Sequence, residues 1–580
     1  MKRTLSLLLA LLMLVGLLAG CGSAATTGKE TETQPAPVQE EAKEPATSAE
    51  SQTEPAAEAP AEPAAEPAKH VDVLRIGCLY ANNKFSLRSQ ADCFGRMNYN
   101  GFVALPFWAF DETGELSSKG CFFNKWEISE DNTELTLWFD TTDLYWHDGE
   151  PVTVDDVLYT FEFYKTNDFK LFPYITSVEA VDDGCIHVTF DRSFAFSFMN
   201  QAVLMYYIMP KHIWENVEDP ASYDGEDAAI GCGPFKFVSV DKDAQVSYYE
   251  AVENYPLGEV MVDKLELHSY DNQSAMIVAL QNGEIDAMFN YSVSVDATLL
   301  PLIESDPAID LGESFSTSTY QICFGWNKYP TNDLSFRLAV SKALDYQLLS
   351  DTVSSGVGSI ASAGAVSPAA LGFNPNVPDN AQNIEEANRI LDEAGYLDVD
   401  GDGMRELPDG SQMDVKIAIQ TVNELSKRIA EVLEINLAAV GVRVSVDEQT
   451  ISNSDYTASL RKDGSYEIYI GTTTVGIAMY TGVMSYAVDS SVSILPAKFG
   501  TCQDEAYMAE YVKMINSNNY DAYIESFMKM QEMNAEIVPV IALSISPVYA
   551  PYRTDKIQGW INYPSWGVIN STTWYSVSAK

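Results

Sequence analysis

The chain is poor in positive charge, in histidine and in paired-cysteine motifs, and each shortage removes a class of function. Its 35 Lys and Arg stand against 83 Asp and Glu over 580 residues, a formal net charge of −48. So acidic a body excludes nucleic acid as a partner, because phosphate binding needs a basic face. Anionic lipid headgroups would repel it as well. The same charge favours solubility and weak self-association, and a monomer is expected. Five His and no C-x-x-C spacing leave too few ligands for a zinc or iron–sulfur site. Neither a G-x-S-x-G elbow nor an H-E-x-x-H helix occurs, so no catalytic residue is assigned and enzyme activity is not expected. Paired acids are too common in this chain to mark a glycosidase. An extracellular hydrolase stays a rival without a signature. Beyond Cys21 the cysteines are Cys78, Cys93, Cys121, Cys185, Cys232, Cys323 and Cys502. That number is odd, so at least one thiol is free or pairs between molecules. Most are expected to be small buried hydrophobes.

Long apolar runs are also scarce, with one at the start. Lys2 and Arg3 precede a run from Leu7 to Ala19, and Leu18-Ala19-Gly20-Cys21 closes it with small residues before a thiol. This is a signal-peptide layout over residues 1–20, and the run is shorter than the roughly 20 residues a spanning helix needs. A cysteine at the cleavage point resembles the bacterial lipobox, which implies diacylglycerol on Cys21. The protein is then exported and held by lipid on the outer face of the cell membrane, or lies in a periplasm. Residues 21–70 are mostly Ala, Pro, Glu, Thr and Ser, without an aromatic before His70. Such a segment cannot bury enough apolar surface to offset its ordering entropy, and it is expected to be a disordered tether. Fully extended, it would reach on the order of 150 Å.

The remaining body is rich in Tyr, Phe and Trp and long enough for more than one domain. Val71 to Ile76 has the pattern of a first strand. Leu135, Leu137 and Phe139 alternate with Thr136 and Trp138 as a half-buried strand. The turn Trp146-His147-Asp148-Gly149-Glu150-Pro151 follows, and His147 is expected to serve that turn and not a ligand. Thr153 then offers a helix N-cap with Asp155 and Asp156 in the first turn, and Val157, Phe161 and Tyr164 lie on one face. Helical spacing returns in Ile384, Ala387, Leu391 and Ala394, stopped by Gly395. It recurs in Leu425, Ile429, Val432, Leu433, Leu437 and Val440, stopped by Gly441. The β-branched run Val442 to Val446 comes directly after. Helices that feed strands indicate an α/β protein, and the length suggests two lobes.

Five segments together resemble the family 5 substrate-binding proteins of ABC transporters, the peptide- and nickel-binding group. They are Lys125 to Tyr159 with its DGEPVTVDDV core, Gly231 to Val238, and Leu280 to Asp286. The fourth is the spaced set Arg337, Ala339, Ala343 and Asp345, and the fifth is Ala387 to Tyr396 with the DGDG loop. The likeness runs from about residue 72 to 565, with Cys232 where the family usually has Thr. It implies a type II periplasmic-binding-protein-like fold: two lobes joined by two hinge strands, with a ligand enclosed between them. On that template residues 71–315 and 545–580 form the first lobe, with an extra subdomain over 105–225, and 316–544 form the second. The crossings fall near Phe315–Phe324 and Ala542–Val548. The implied function is capture of a solute, most simply a peptide, for delivery to permease subunits of an ABC importer. A surface receptor for sensing or adhesion would carry the same features.

Position in the family makes Tyr80, Asn82, Trp326, Thr472, Thr473 and Tyr480 candidate ligand residues. Peptide-binding relatives carry a segment like W-x-x-D-Y-x-D-P, whose acid pairs with the peptide amino group. Here the stretch Ile470 to Ser490 lacks it and keeps Asp489 as its single acid. Few histidines weigh against a nickel complex. Asp398, Asp400, Asp402, the carbonyl of Met404 and Asp409 fit a D-x-D-x-D-G-x5-D loop, so structural calcium is a possible cofactor and no other is required. Asp409 departs from the longer Glu usual at that place. Gly356-Val357-Gly358 follows a helix and not a strand, so it lacks the geometry of a dinucleotide cradle. The family carries a mobile loop there.

Overall fold

Alternation along Leu74–Cys78 leaves Leu74, Ile76 and Cys78 fully buried, and this run is strand β1. It starts three residues later than the expected Val71, which makes only an isolated bridge to Val262. The strand continues through Gly77, where a side chain would meet Ile285 Cδ1 at 2.6 Å. The computed structural model describes residues 68–88, 92–167, 171–201, 206–289, 294–420, 423–449, 466–473, 502 and 504–580. Cys21, Tyr480 and Asp489 lie outside these residues. Among the described residues no helix is long and apolar enough to cross a membrane.

Strands β2 (Phe123–Ile128), β3 (Glu134–Phe139), β4 (Ile175–Asp182) and β5 (Cys185–Phe190) form a separate antiparallel sheet in the order β2-β3-β5-β4. Helix α1 (Val154–Thr166) accompanies it. The Thr153 N–H donates to Asp156 Oδ2 at 2.9 Å, one half of a capping box. Asp156 Oδ1 also accepts the Lys211 N–H at 3.0 Å, so the cap fixes the chain beyond the sheet. Helix α2 (Ala195–Gln201) follows β5.

The larger sheet takes its strands from both halves of the chain. From the first half come β6 (Phe235–Asp241), β7 (Val246–Ala251), β8 (Lys264–Ser269), then, after helix α3 (Gln273–Asn282), β9 (Ala287–Phe289). Strand β10 (Ile309–Phe324) then leads to helices α4 (Leu334–Ala343), α5 (Tyr346–Ser354) and α6 (Ile384–Glu393). Strand β11 (Val415–Gln420), helix α7 (Glu424–Ala438), β12 (Val444–Gln449) and β13 (Ile468–Thr473) follow. Helices α8 (Glu505–Ile515) and α9 (Tyr520–Ile537) lead into β14 (Val540–Arg553). The order is β12-β11-β13-β10-β14-β9-β1-β8-β7-β6. Second-half strands therefore lie on one side of the long pair β10–β14 and first-half strands on the other. The periodic apolar residues of α6 and α7 are the ones buried, Ala387 and Leu391 in one, Ile429, Leu433 and Leu437 in the other. Gly395 at φ +85° and Gly441 at φ +75° end them in the left-handed region. The two halves pack closely enough that residues 67–580 form one compact unit.

Candidate functional site

The long antiparallel pair is interrupted at one place. Ile309 to Phe315 pair with Arg553 to Pro547, and Thr319 to Cys323 pair with Ile545 to Val540, with a register break between Phe315 and Thr319 and a second between Tyr320 and Gln321. Three residues of β10, 316–318, thus stand opposite the single residue Ser546. A bulge of this kind bends a strand and ends its ladder locally.

Both parallel groups of strands point at this break. On the first-half side, β1 runs parallel to β8 and β9, and β9 pairs with β14 through Ala287 and Tyr552. Moving toward the C-terminal end of β9 moves along β14 from Tyr552 toward Ser546. On the second-half side, β13 runs parallel to β11 and pairs with β10 from Ile468↔Phe324 to Thr473↔Thr319. Its C-terminal end therefore also arrives at the break. Ligands of open α/β sheets sit outside the carboxyl ends of the strands, and here two such edges converge on one bend.

The candidate residues fall around it unevenly. Thr472 and Thr473 end β13 opposite Tyr320 and Thr319, beside the break. Tyr80 lies two residues past β1, half-buried, with the Arg96 guanidinium 5.6 Å from its ring centroid. Asn82 is spent inside the fold: its Nδ2 donates to Leu267 O at 2.7 Å and Gln245 O at 3.0 Å, and its Oδ1 accepts from Ser247 Oγ at 3.2 Å. Trp326 is covered by the Arg337 guanidinium, 3.7 Å from its ring centroid. Burial lowers the pKa of Arg337 to about 10, and the side chain donates to Ile537 O at 3.1 Å and Thr331 O at 2.9 Å.

Two features were not expected. A disulfide joins Cys78 and Cys93, closing a loop that holds Tyr80 and Asn82. Their separation of 15 residues matches no short motif, so no sequence signal marks them. Gln321, on β10 next to the second register break, is 1 % exposed, and its Oε1 is buried with no hydrogen-bond partner among the described residues. Its Nε2 donates to Thr319 Oγ1 at 3.1 Å. Burying an acceptor unpaired is costly, so this is a place where a ligand donor would gain.

A family model for bacterial extracellular solute-binding proteins, family 5, matches residues 121–491. The chain belongs to this family. Heme-binding protein A of Haemophilus influenzae is 23% identical over 487 residues, covering 78% of this chain and 83% of its own. Oligopeptide-binding protein AppA of Bacillus subtilis is 28% identical over 313 residues, covering 51% of this chain and 55% of its own. The structure of that AppA protein in complex with a nonapeptide superposes with a TM-score of 0.66 at 19% identity, over 88% of this chain and 99% of the other. The fold is thus the two-lobed type II arrangement of these binding proteins.

In this family 5 protein the motifs that carry the likeness serve the scaffold. A Cβ on Gly231 would lie 2.1 Å from Val103 O, and one on Gly233 2.3 Å from Phe102 O, so only glycine lets these backbones pass. His147 clamps the same segment: its Nε2 is 3.0 Å from Gly233 O, and its Nδ1 accepts the Gly231 N–H at 3.4 Å. Burial lowers its pKa to about 4, so the ring is neutral at pH 7. Asp345 caps α5, accepting the Leu348 N–H at 3.0 Å. Gly356-Val357-Gly358 leads into a short strand, Ser359–Ile360, that pairs with Ile545 and Ser544 of β14, so the end of the loop expected to be mobile is held by the sheet. The DGDG loop groups differently from its sequence pattern. Carboxylate oxygens of Asp398, Asp400 and Glu406 lie within 4.8 Å of one another. Asp402 instead pairs with Arg443 at 2.7 Å, and Asp409 closes its own turn on Ser411. Asp398 accepts the N–H of Gly401 and of Gly403, and Glu406 accepts that of Val399.

Proposed function

We propose that the protein closes its two lobes on a peptide at the bend in β10 and β14 and delivers it to an ABC importer, tethered by lipid on Cys21. The observation that carries this reading is the convergence of two sets of strand ends on one interrupted pair. A ligand there touches both halves, so binding favours the closed arrangement over the open one. We assign residues 71–315 and 545–580 to one lobe and 316–544 to the other. Relatives named for oligopeptides support the ligand class, and so does the position of the histidines. All five are engaged away from the crossing: His70 with Asp263, His147 with Gly233, His187 with Thr136, His212 with Asp148 and His268 with Glu266. None lies on β10, β13 or β14, so a histidine-held metal complex has no ligand there. The amide of Gln321 offers a neutral polar contact, which suits peptide backbone groups more than a charged terminus.

Native mass spectrometry of the purified protein tests this directly. A ladder of peptide masses is expected. Uniform mass of a sugar or a cofactor would overturn the peptide assignment. Saturating peptide at about 100 times Kd should add roughly 2.7 kcal/mol of stability. Replacing Cys21 with Ser should release the protein from the membrane fraction.

A further inference from the structure

Helix α8 ends in carbonyls that are met from the other half of the chain. A helix C-terminus leaves its last carbonyls without partners in the helix. Ser197 Oγ donates to Ile515 O at 2.5 Å, Ser193 Oγ to Asn516 O at 3.3 Å, and Asn132 Nδ2 to Ser517 O at 3.1 Å and Asn516 O at 3.4 Å. Tyr520, the first residue of α9, donates its hydroxyl to Asn200 Oδ1 at 2.7 Å and accepts the Leu116 N–H at 3.2 Å. The Phe196 ring stands edge-on to the Tyr520 ring at 5.1 Å. Every first-half residue here belongs to the segment around the four-stranded sheet. The helix pair belongs to the second half: Gln531 and Asn534 of α9 bond to Gly372 O and Ala363 O, and Ile537 O receives Arg337.

Asn132 is the centre of the contact. It sits in the β2–β3 turn at φ 59°, a left-handed conformation that Asn tolerates better than most residues. The turn is built beforehand, since Ser129 Oγ accepts the N–H groups of Thr133 and Glu134. Asn132 is 1 % exposed, and its Oδ1 accepts the Phe196 N–H at 2.8 Å. One carboxamide thus ties the start of α2 to the end of α8.

We infer that Asn132 is a positioning residue for ligand capture: with Ser197 and Tyr520 it forms a latch that holds the lobes shut, away from the crossing strands and the ligand. The inference rests on the clamp reading above. Water replaces each of these bonds when the lobes part, so the net gain per bond is modest. Such a latch biases closure and still permits release. A stronger one would trap the solute.

The test uses the full chain and three variants: Asn132→Gly, which keeps the left-handed backbone and removes the carboxamide, Ser197→Ala, and the milder Tyr520→Phe. Small-angle scattering without added ligand should show each variant more extended than the wild type. Release of a fluorescein-labelled random nonapeptide mixture from the variants should be about ten-fold faster. Association should change less than two-fold, a split that general destabilisation would not produce. Scattering curves and release rates that match the wild type overturn the latch. A wild type that captures no nonapeptide counts against the peptide reading instead, and scattering then decides the latch alone.

Discussion

Lowering the pH should weaken this protein through His147 over a defined window. Burial holds the folded pKa near 4 against an ordinary value of 6.5. Between those values the unfolded chain takes up a proton that the folded one refuses, so stability falls as pH falls. The stability is fully present above about pH 6.5 and its loss is complete below about pH 4. The shift corresponds to at most roughly 3 kcal/mol, and the ring's partial exposure reduces the expected loss to about 2 kcal/mol. The structure names what breaks: protonated Nδ1 can no longer accept the Gly231 N–H, and the turn loosens from the Gly231–Gly233 segment. His147→Gln keeps a donor for Gly233 O and cannot titrate. Urea unfolding of both proteins at pH 7, 6, 5 and 4 provides the assay. Carboxylates titrate in both, and so does His70, whose pKa is raised by hydrogen bonds to Asp263 and Glu259. Their contributions cancel in the difference. The gap between wild type and variant should close by about 2 kcal/mol from pH 7 to pH 4. Parallel pH profiles would refute the argument, because they would mean that His147 takes a proton equally well in both states.

Arg553→Met should cost roughly 3 kcal/mol by thermal or urea unfolding, since it strips donors from Leu280 O and Gln281 O at the end of α3 and unpairs Asp555. Arg553→Lys should recover little, because one ammonium cannot reach all three partners. Reduction of the Cys78–Cys93 bond should cost about 3 kcal/mol for a loop of this length, read as a lower melting temperature in dithiothreitol that Cys93→Ser abolishes. Gln321→Met should stabilise the ligand-free protein by about 1 kcal/mol by removing an unpaired buried acceptor, while weakening capture of peptide; a variant less stable than the wild type would contradict it.

Much of the scaffold is visible in the residue pattern because local physics fixes it. Thr153 with Asp156 announces the start of α1, and Gly395 and Gly441 announce two helix ends, since each conformation admits few residue types. The extent of β1 was harder, because Gly77 shows no β-pattern and is kept for its packing against α3 and Ile285. The DGDG loop is a different case. Its spacing suggests one set of carboxylates, yet Arg443, 41 residues away in sequence, takes Asp402 out of the group. Asn132 carried no sequence signal at all, since its partners Asn516 and Ser517 lie more than 380 residues on.

The residues through which the family is recognisable and the residues that would choose its ligand are largely different sets. Gly231 and Gly233 let backbones cross, Asp286 accepts the Arg75 N–H at 2.9 Å to join β9 to β1, and Arg337 and Asp345 hold the start of the second half. A substitution at any of them leaves a clash or a buried group unpaired, so the fold constrains them whatever is bound. The bend at 316–318 and the end of β13 are held instead by backbone pairing, whereas the loop after β1 is tied into the fold through Asn82 and the Cys78–Cys93 bond. Backbone pairing by itself does not dictate which side chain a position carries. That is why chains of about a quarter identity share this architecture while being named for heme in one case and for oligopeptides in another. On the reading proposed above, specificity would be sought in the few polar atoms at the break that the scaffold leaves over, with Gln321 Oε1 first among them.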